Sequence, residues 1–61
     1  MKTSEMLKRL KKECDVKFIE HGTEHDLYFS PITSKYFRVP RHKGEVAKGT
    51  LHSIFKDAGL Q

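Results

Sequence analysis

VKFIEHGTEHDLYFSPITSKYFRVP, residues 16–40, holds three runs of strand character separated by two turn signals. Residues 16–20 (VKFIE) are β-branched and aromatic, as strands prefer. His21, Gly22, Thr23 and Glu24 make a turn, in which Gly22 is expected to take positive φ. Residues 26–29 (DLYF) form a second strand, and PITS at 31–34 a second turn. Residues 35–39 (KYFRV) form a third strand, stopped by Pro40 because proline cannot donate to a ladder. Short connections predict an antiparallel meander. Alternation assigns Leu27 and Phe29, with Phe37 and Val39, to a common core, leaving Tyr28, Tyr36 and Arg38 outside.

Outward from this stretch, both flanks carry helical periodicity. Met6, Leu7, Leu10 and Cys14 recur at helical spacing, with Lys8, Arg9, Lys11 and Lys12 on the other side. Thr3 or Ser4 is expected to cap this helix, from about residue 3 to residue 14, and Glu5 suits the positive end of its dipole. Leu51, Ile54, Phe55 and Ala58 fall at i, i+3, i+4 and i+7, and Gly59 sits where a left-handed C-terminal cap belongs. The order is αβββα: an α+β fold with two amphipathic helices on one face of a three-stranded antiparallel sheet.

The chain's 61 residues are read as a single domain, 1–61. So small a chain buries only about 60% of the surface its unfolded form exposes, which leaves no room for a deep cofactor pocket. Activity would occupy a surface groove, a better match to a polymer than to a small metabolite. Twelve Lys and Arg against eight Asp and Glu give a net charge of +4, which draws polyanions. The lone Cys14 cannot form an internal disulfide and reads as a small core residue in a reducing, cytoplasmic setting. No apolar run reaches membrane-span length, and no signal-peptide core opens the chain.

Of the basic clusters, Lys8 to Lys12 reads as a solvated helix face, whereas Lys35, Arg38, Arg41, Lys43 and Lys48 lie near the histidines. His25 is the candidate catalyst. An imidazole near neutral pH can take a proton from a ribose 2′-hydroxyl and activate it against the adjacent phosphorus. That reaction leaves a 2′,3′-cyclic phosphate and a free 5′-hydroxyl. By parity with Leu27 and Phe29, His25 is expected to be half-buried, reaching out of the helix-covered face only at its strand's beginning. The competing reading is an ordinary surface histidine after a turn.

In the Pro40–Gly44 loop, Arg41 could grip phosphate through two parallel hydrogen bonds and Lys43 could add a point charge. His42 is a possible general acid, and a plain solvated loop is the alternative. Lys48 opens the last helix, where free N–H groups attract anions. Tyr28 and Tyr36 could stack on bases or simply pack across strands. His21 and His25 stand four apart, but Gly22-Thr23 disfavours the helix that would bring them together. One Cys and scattered acids complete no zinc site, so no metal and no small-molecule cofactor is expected.

GTEHDLYFSP, VPRHKGE and GTLHSIFKDAGL, in this order over about residues 3–60, resemble the HicA family of bacterial toxins. The resemblance implies a double-stranded-RNA-binding-domain-like αβββα fold and a metal-independent mRNA interferase with one essential histidine in a Gly-Ser-x-His turn. It also implies neutralisation by a HicB antitoxin covering the active site. The histidine role falls on His25 and the turn-shaping role on Gly22, while Thr23 replaces the usual serine and keeps a hydroxyl. Arg38, Arg41, Lys43 and Lys48 are the expected RNA contacts. A non-catalytic RNA-binding module and a protein-binding domain on the same fold are the alternatives; neither requires His25.

Overall fold

The computed structural model of the chain describes residues 1–41 and 44–60. Its elements are α1 (Thr3–Cys14), β1 (Lys17–His21), β2 (His25–Ser30), β3 (Lys35–Pro40) and α2 (Lys48–Ala58). The strands form one antiparallel sheet in the order β1-β2-β3, with β2 central. The αβββα order follows the hydrophobic periods of the sequence.

Met6, Leu10 and Cys14 of α1 and Ile54 and Ala58 of α2 are buried in one cluster with Tyr28, Phe37 and Val39 of the sheet. Burial, aided by the neighbouring Glu13 carboxylate, pushes the Cys14 thiol up from its ordinary pKa. Arg9 ties the helices together: its guanidinium lies 5.5 Å from the Phe55 ring centroid while Nε donates to Glu13 at 2.9 Å. The N-cap of α1 is Lys2, not Thr3 or Ser4. Glu5, three residues on, reaches back to accept the Lys2 N–H at 3.3 Å, the carboxylate half of a capping box. Gly59 ends α2 at φ 94°, donating to Phe55 and Lys56 carbonyls as a left-handed cap should.

The facing of β2 is the reverse of the expected one. Tyr28 is only 5% exposed and Ser30 is fully buried, whereas Leu27 and Phe29 lie on the sheet face away from the helices. Tyr28 sits opposite Phe37, the two rings stacked at 6.1 Å and 21°. The Ser30 hydroxyl donates to the Ala58 carbonyl at 2.6 Å, so a polar group enters the core with its hydrogen bond satisfied. A small residue here also lets α2 approach the strand closely. Tyr36 and Arg38 do face outward, as alternation on β3 requires.

Strand β1 carries a bulge. Phe18 pairs with Tyr28, but Glu20 pairs with Leu27, leaving Ile19 as the extra residue. In an unbroken strand Phe18 and Glu20 would share a face. The bulge instead sends Phe18 toward the Tyr28 ring and turns Glu20 onto the open face.

Candidate functional site

His25 is the first residue of β2 and is exposed. Since Leu27 lies on the open face, His25 two residues earlier lies there as well. The half-buried placement expected under the helices is therefore wrong: the imidazole stands on the uncovered side. It lines a cleft of about 360 Å³ with Glu20, Gly22, Thr23, Glu24, Leu27 and Arg38. Across the sheet, Glu20, Leu27 and Arg38 occupy adjacent positions of one row, putting one cation and one carboxylate on either side of an aliphatic floor. A second depression of about 370 Å³ on the other side of His25 is walled by Thr23, Glu24, Pro40 and Arg41.

The turn is held by two devices. The first is Gly22, whose N–H donates to the His25 carbonyl at 2.7 Å. Gly22 does not take the positive φ expected of it; only Gly44 and Gly59 do among the described glycines. Its requirement is for space. A Cβ at residue 22 would collide with the His25 carbonyl oxygen, so only hydrogen fits there.

The second device is Arg41. Its backbone N–H donates to the Glu24 carbonyl at 3.0 Å, continuing the β2–β3 ladder past Pro40, which has no N–H to give. Its Nη2 donates to the carbonyls of both Gly22 and Thr23 at 2.8 Å, and Nη1 lies 3.5 Å from Asp26 Oδ1. Asp26 also meets His21, whose Nδ1 is 3.0 Å from the same oxygen. Arg41 Nη1 approaches that Nδ1 to 3.4 Å, yet two donors cannot bond one another. A proton on Nδ1 directed at the carboxylate is the better-satisfied arrangement. Arg41 thus works inward on the turn carrying His25, spanning from the end of β3 to both β1 and β2.

His21 and His25 leave opposite faces of the sheet, His21 with Asp26 and His25 with Leu27. They do not converge on a common point. Among the described residues no group of three His, Cys, Asp or Glu side chains is arranged to hold a metal ion. Arg38 joins His25 in the first cleft and Arg41 in the second, while Lys48 begins α2 and lines neither. The expectations for Lys43 and His42 lie outside the described residues. Glu20 and Glu24 are cleft residues that sequence reading missed. Glu24 was legible as a turn neighbour of His25; Glu20 reaches the cleft only through the bulge.

These features describe a small α+β domain presenting one histidine on an open sheet face, its turn clamped by an arginine just past β3. The profile of the family described as the HicA toxin of bacterial toxin-antitoxin systems matches residues 3–60. The chain belongs to that family and is the toxin of a toxin–antitoxin pair. No curated protein and no solved structure matches it. No helix among the described residues is long and apolar enough to cross a membrane.

Proposed function

We propose that this toxin is a metal-independent endoribonuclease acting on mRNA in the cytoplasm as a single domain, with His25 as general base. The observation that carries the reading is the exposed imidazole at the head of β2, fixed by its own carbonyl's bond to Gly22 and facing a cleft open to a polymer. His25 takes the proton of a ribose 2′-hydroxyl, the 2′-oxygen bonds to phosphorus, and the bond to the 5′-oxygen breaks, that oxygen taking a proton from water to leave as a hydroxyl. Arg38, in the same cleft, offers a positive charge where the phosphoryl oxygens gain negative charge.

The partner is a HicB-like antitoxin that covers this face. A stable interface takes about 800 Å² from each partner, against a total accessible surface of 4342 Å² for the toxin. A binder of that footprint laid over the open face reaches His25. The net charge of +4 favours an acidic contact surface, which also hastens capture.

Induction of the chain alone tests this reading: growth should stop and messages should fragment, and co-expression of the neighbouring open reading frame should reverse both. With purified protein, cleavage should persist in excess EDTA. Loss of cleavage in the chelator that returns with added divalent ion would contradict a histidine-only mechanism.

The inward use of Arg41 makes a separate prediction. Arg41→Ala should lower kcat more than it raises KM, and Arg41→Lys should not restore it. A single ammonium cannot reproduce the fork that holds two carbonyls and Asp26. If Arg41 instead bound phosphate, its loss would act on KM and flatten the salt dependence by roughly 0.7 in log K against log salt. Kinetics at several salt concentrations separate the two.

A further inference from the structure

The open face of the sheet is more apolar than a solvent face of an antiparallel sheet ordinarily is. Phe29 and Tyr36 are opposite one another there, ring centroids 4.9 Å apart, and Tyr36 is 62% exposed. Lys17 flanks the pair on β1. The next row holds Glu20, Leu27 and Arg38, and beyond it stands His25 opposite Pro40. Arg38 has no hydrogen bond or ion pair among the described residues, so its charge is available to a ligand. Tyr28, the other tyrosine, is buried against Phe37 and takes no part.

We propose that Tyr36, backed by Phe29, is a stacking platform for an unpaired base, and that the substrate bound across this face is single-stranded RNA. The proposal rests on the ribonuclease reading of His25. The aromatic row lies four residues along β2 from His25, about 14 Å at strand rise, with Arg38 between them. A strand running from the platform to the imidazole therefore passes a cation where its backbone must cross. A duplex cannot use such a platform, because its base faces are already covered by neighbouring pairs; unpaired bases expose a face that any aromatic ring can meet. Position, not charge, makes RNA the occupant, with the antitoxin as a competitor for the same face. The unpaired cation of the face lies on the path to His25, where a phosphate would need it.

The test measures binding of a fluorescent 2′-O-methyl oligoribonucleotide, which lacks the attacking hydroxyl, as a single strand and as a duplex. Wild-type protein should bind the single strand on the order of tenfold more tightly than the duplex. Tyr36→Ala should weaken single-strand binding about tenfold, and Tyr36→Phe should retain it within about twofold, since the stacking face and not the hydroxyl is at work. Tyr36→Phe should melt as wild type does, and Tyr36→Ala, which loses the ring contact with Phe29, should melt somewhat lower yet stay folded at the assay temperature. Equal affinity for the two probes, or an unchanged affinity in Tyr36→Ala, overturns the platform. So does a Tyr36→Ala variant that binds RNA normally but loses capture by the antitoxin, because the face would then belong to the protein partner. Tyr36-dependent binding without cleavage of the unmodified strand would uphold the platform and reject the ribonuclease. Cleavage with no Tyr36 dependence would do the reverse.

Discussion

His25→Ala is expected to abolish RNA cleavage and growth arrest while leaving the fold and its stability intact. General acid–base catalysis contributes about 10²- to 10⁴-fold, so losing the base should bring cleavage close to background. Stability should barely change, because the ring is exposed and the residue's structural bond is made by its backbone carbonyl, which alanine retains. Circular dichroism and a thermal melt should match wild type, and binding of a non-cleavable RNA should persist. A variant that cleaves at the wild-type rate would reject His25 as the base. One that is inactive and also unfolded would make the residue structural.

Gly22→Val should fail in both respects at once. The obstacle is the His25 carbonyl against the first side-chain carbon, so Gly22→Ala should suffer nearly as much as Val. Forcing an extra carbon into a filled space costs about 1–3 kcal/mol. For a domain of this size, whose whole stability is about 3–9 kcal/mol, that is a large share. The melting temperature should fall by roughly 4–8 °C per kcal/mol. Activity should fall further, since relief of the clash comes from moving the carbonyl that fixes His25. Gly22→Asn separates space from backbone conformation: asparagine tolerates positive φ but carries the same Cβ. It should be as damaging as alanine. An asparagine variant near wild type would mean that φ is the constraint.

The helices and strands were legible because their signals are local. Pro31, the Gly22 turn and the spacing of Met6, Leu10 and Cys14 each act within a few residues. Pro40, by contrast, does not stop β3 as expected: it pairs with His25 inside the strand, and the Arg41 N–H carries the ladder on to the Glu24 carbonyl. The facing of β2 was not legible for a physical reason. Alternation with Leu27 and Phe29 put Tyr28 outward, yet Tyr28 and Ser30 both enter the core through partners on other elements: Phe37 for the ring and the Ala58 carbonyl for the hydroxyl. With that reversal His25 moves from beneath the helices to the open face. The bulge at Ile19 had no signal in composition, and it alone brings Glu20 to the cleft. Arg41 was legible as a charge near the histidines, but its hold on the Gly22 and Thr23 carbonyls, 19 and 18 residues away, exists only once the sheet forms.

The ends of the cleaved RNA report the chemistry directly. Purified toxin, incubated with a defined single-stranded RNA in excess EDTA, should leave a 2′,3′-cyclic phosphate on the upstream fragment and a 5′-hydroxyl on the downstream one. Replacing the scissile nucleotide by its 2′-deoxy form should abolish the cut, since the group that His25 deprotonates is gone. Fragments bearing 3′-hydroxyl and 5′-phosphate ends, or cleavage of the deoxy-substituted strand, would mean that water and not the ribose hydroxyl attacks phosphorus, and would contradict the assignment of His25 as base to the 2′-hydroxyl.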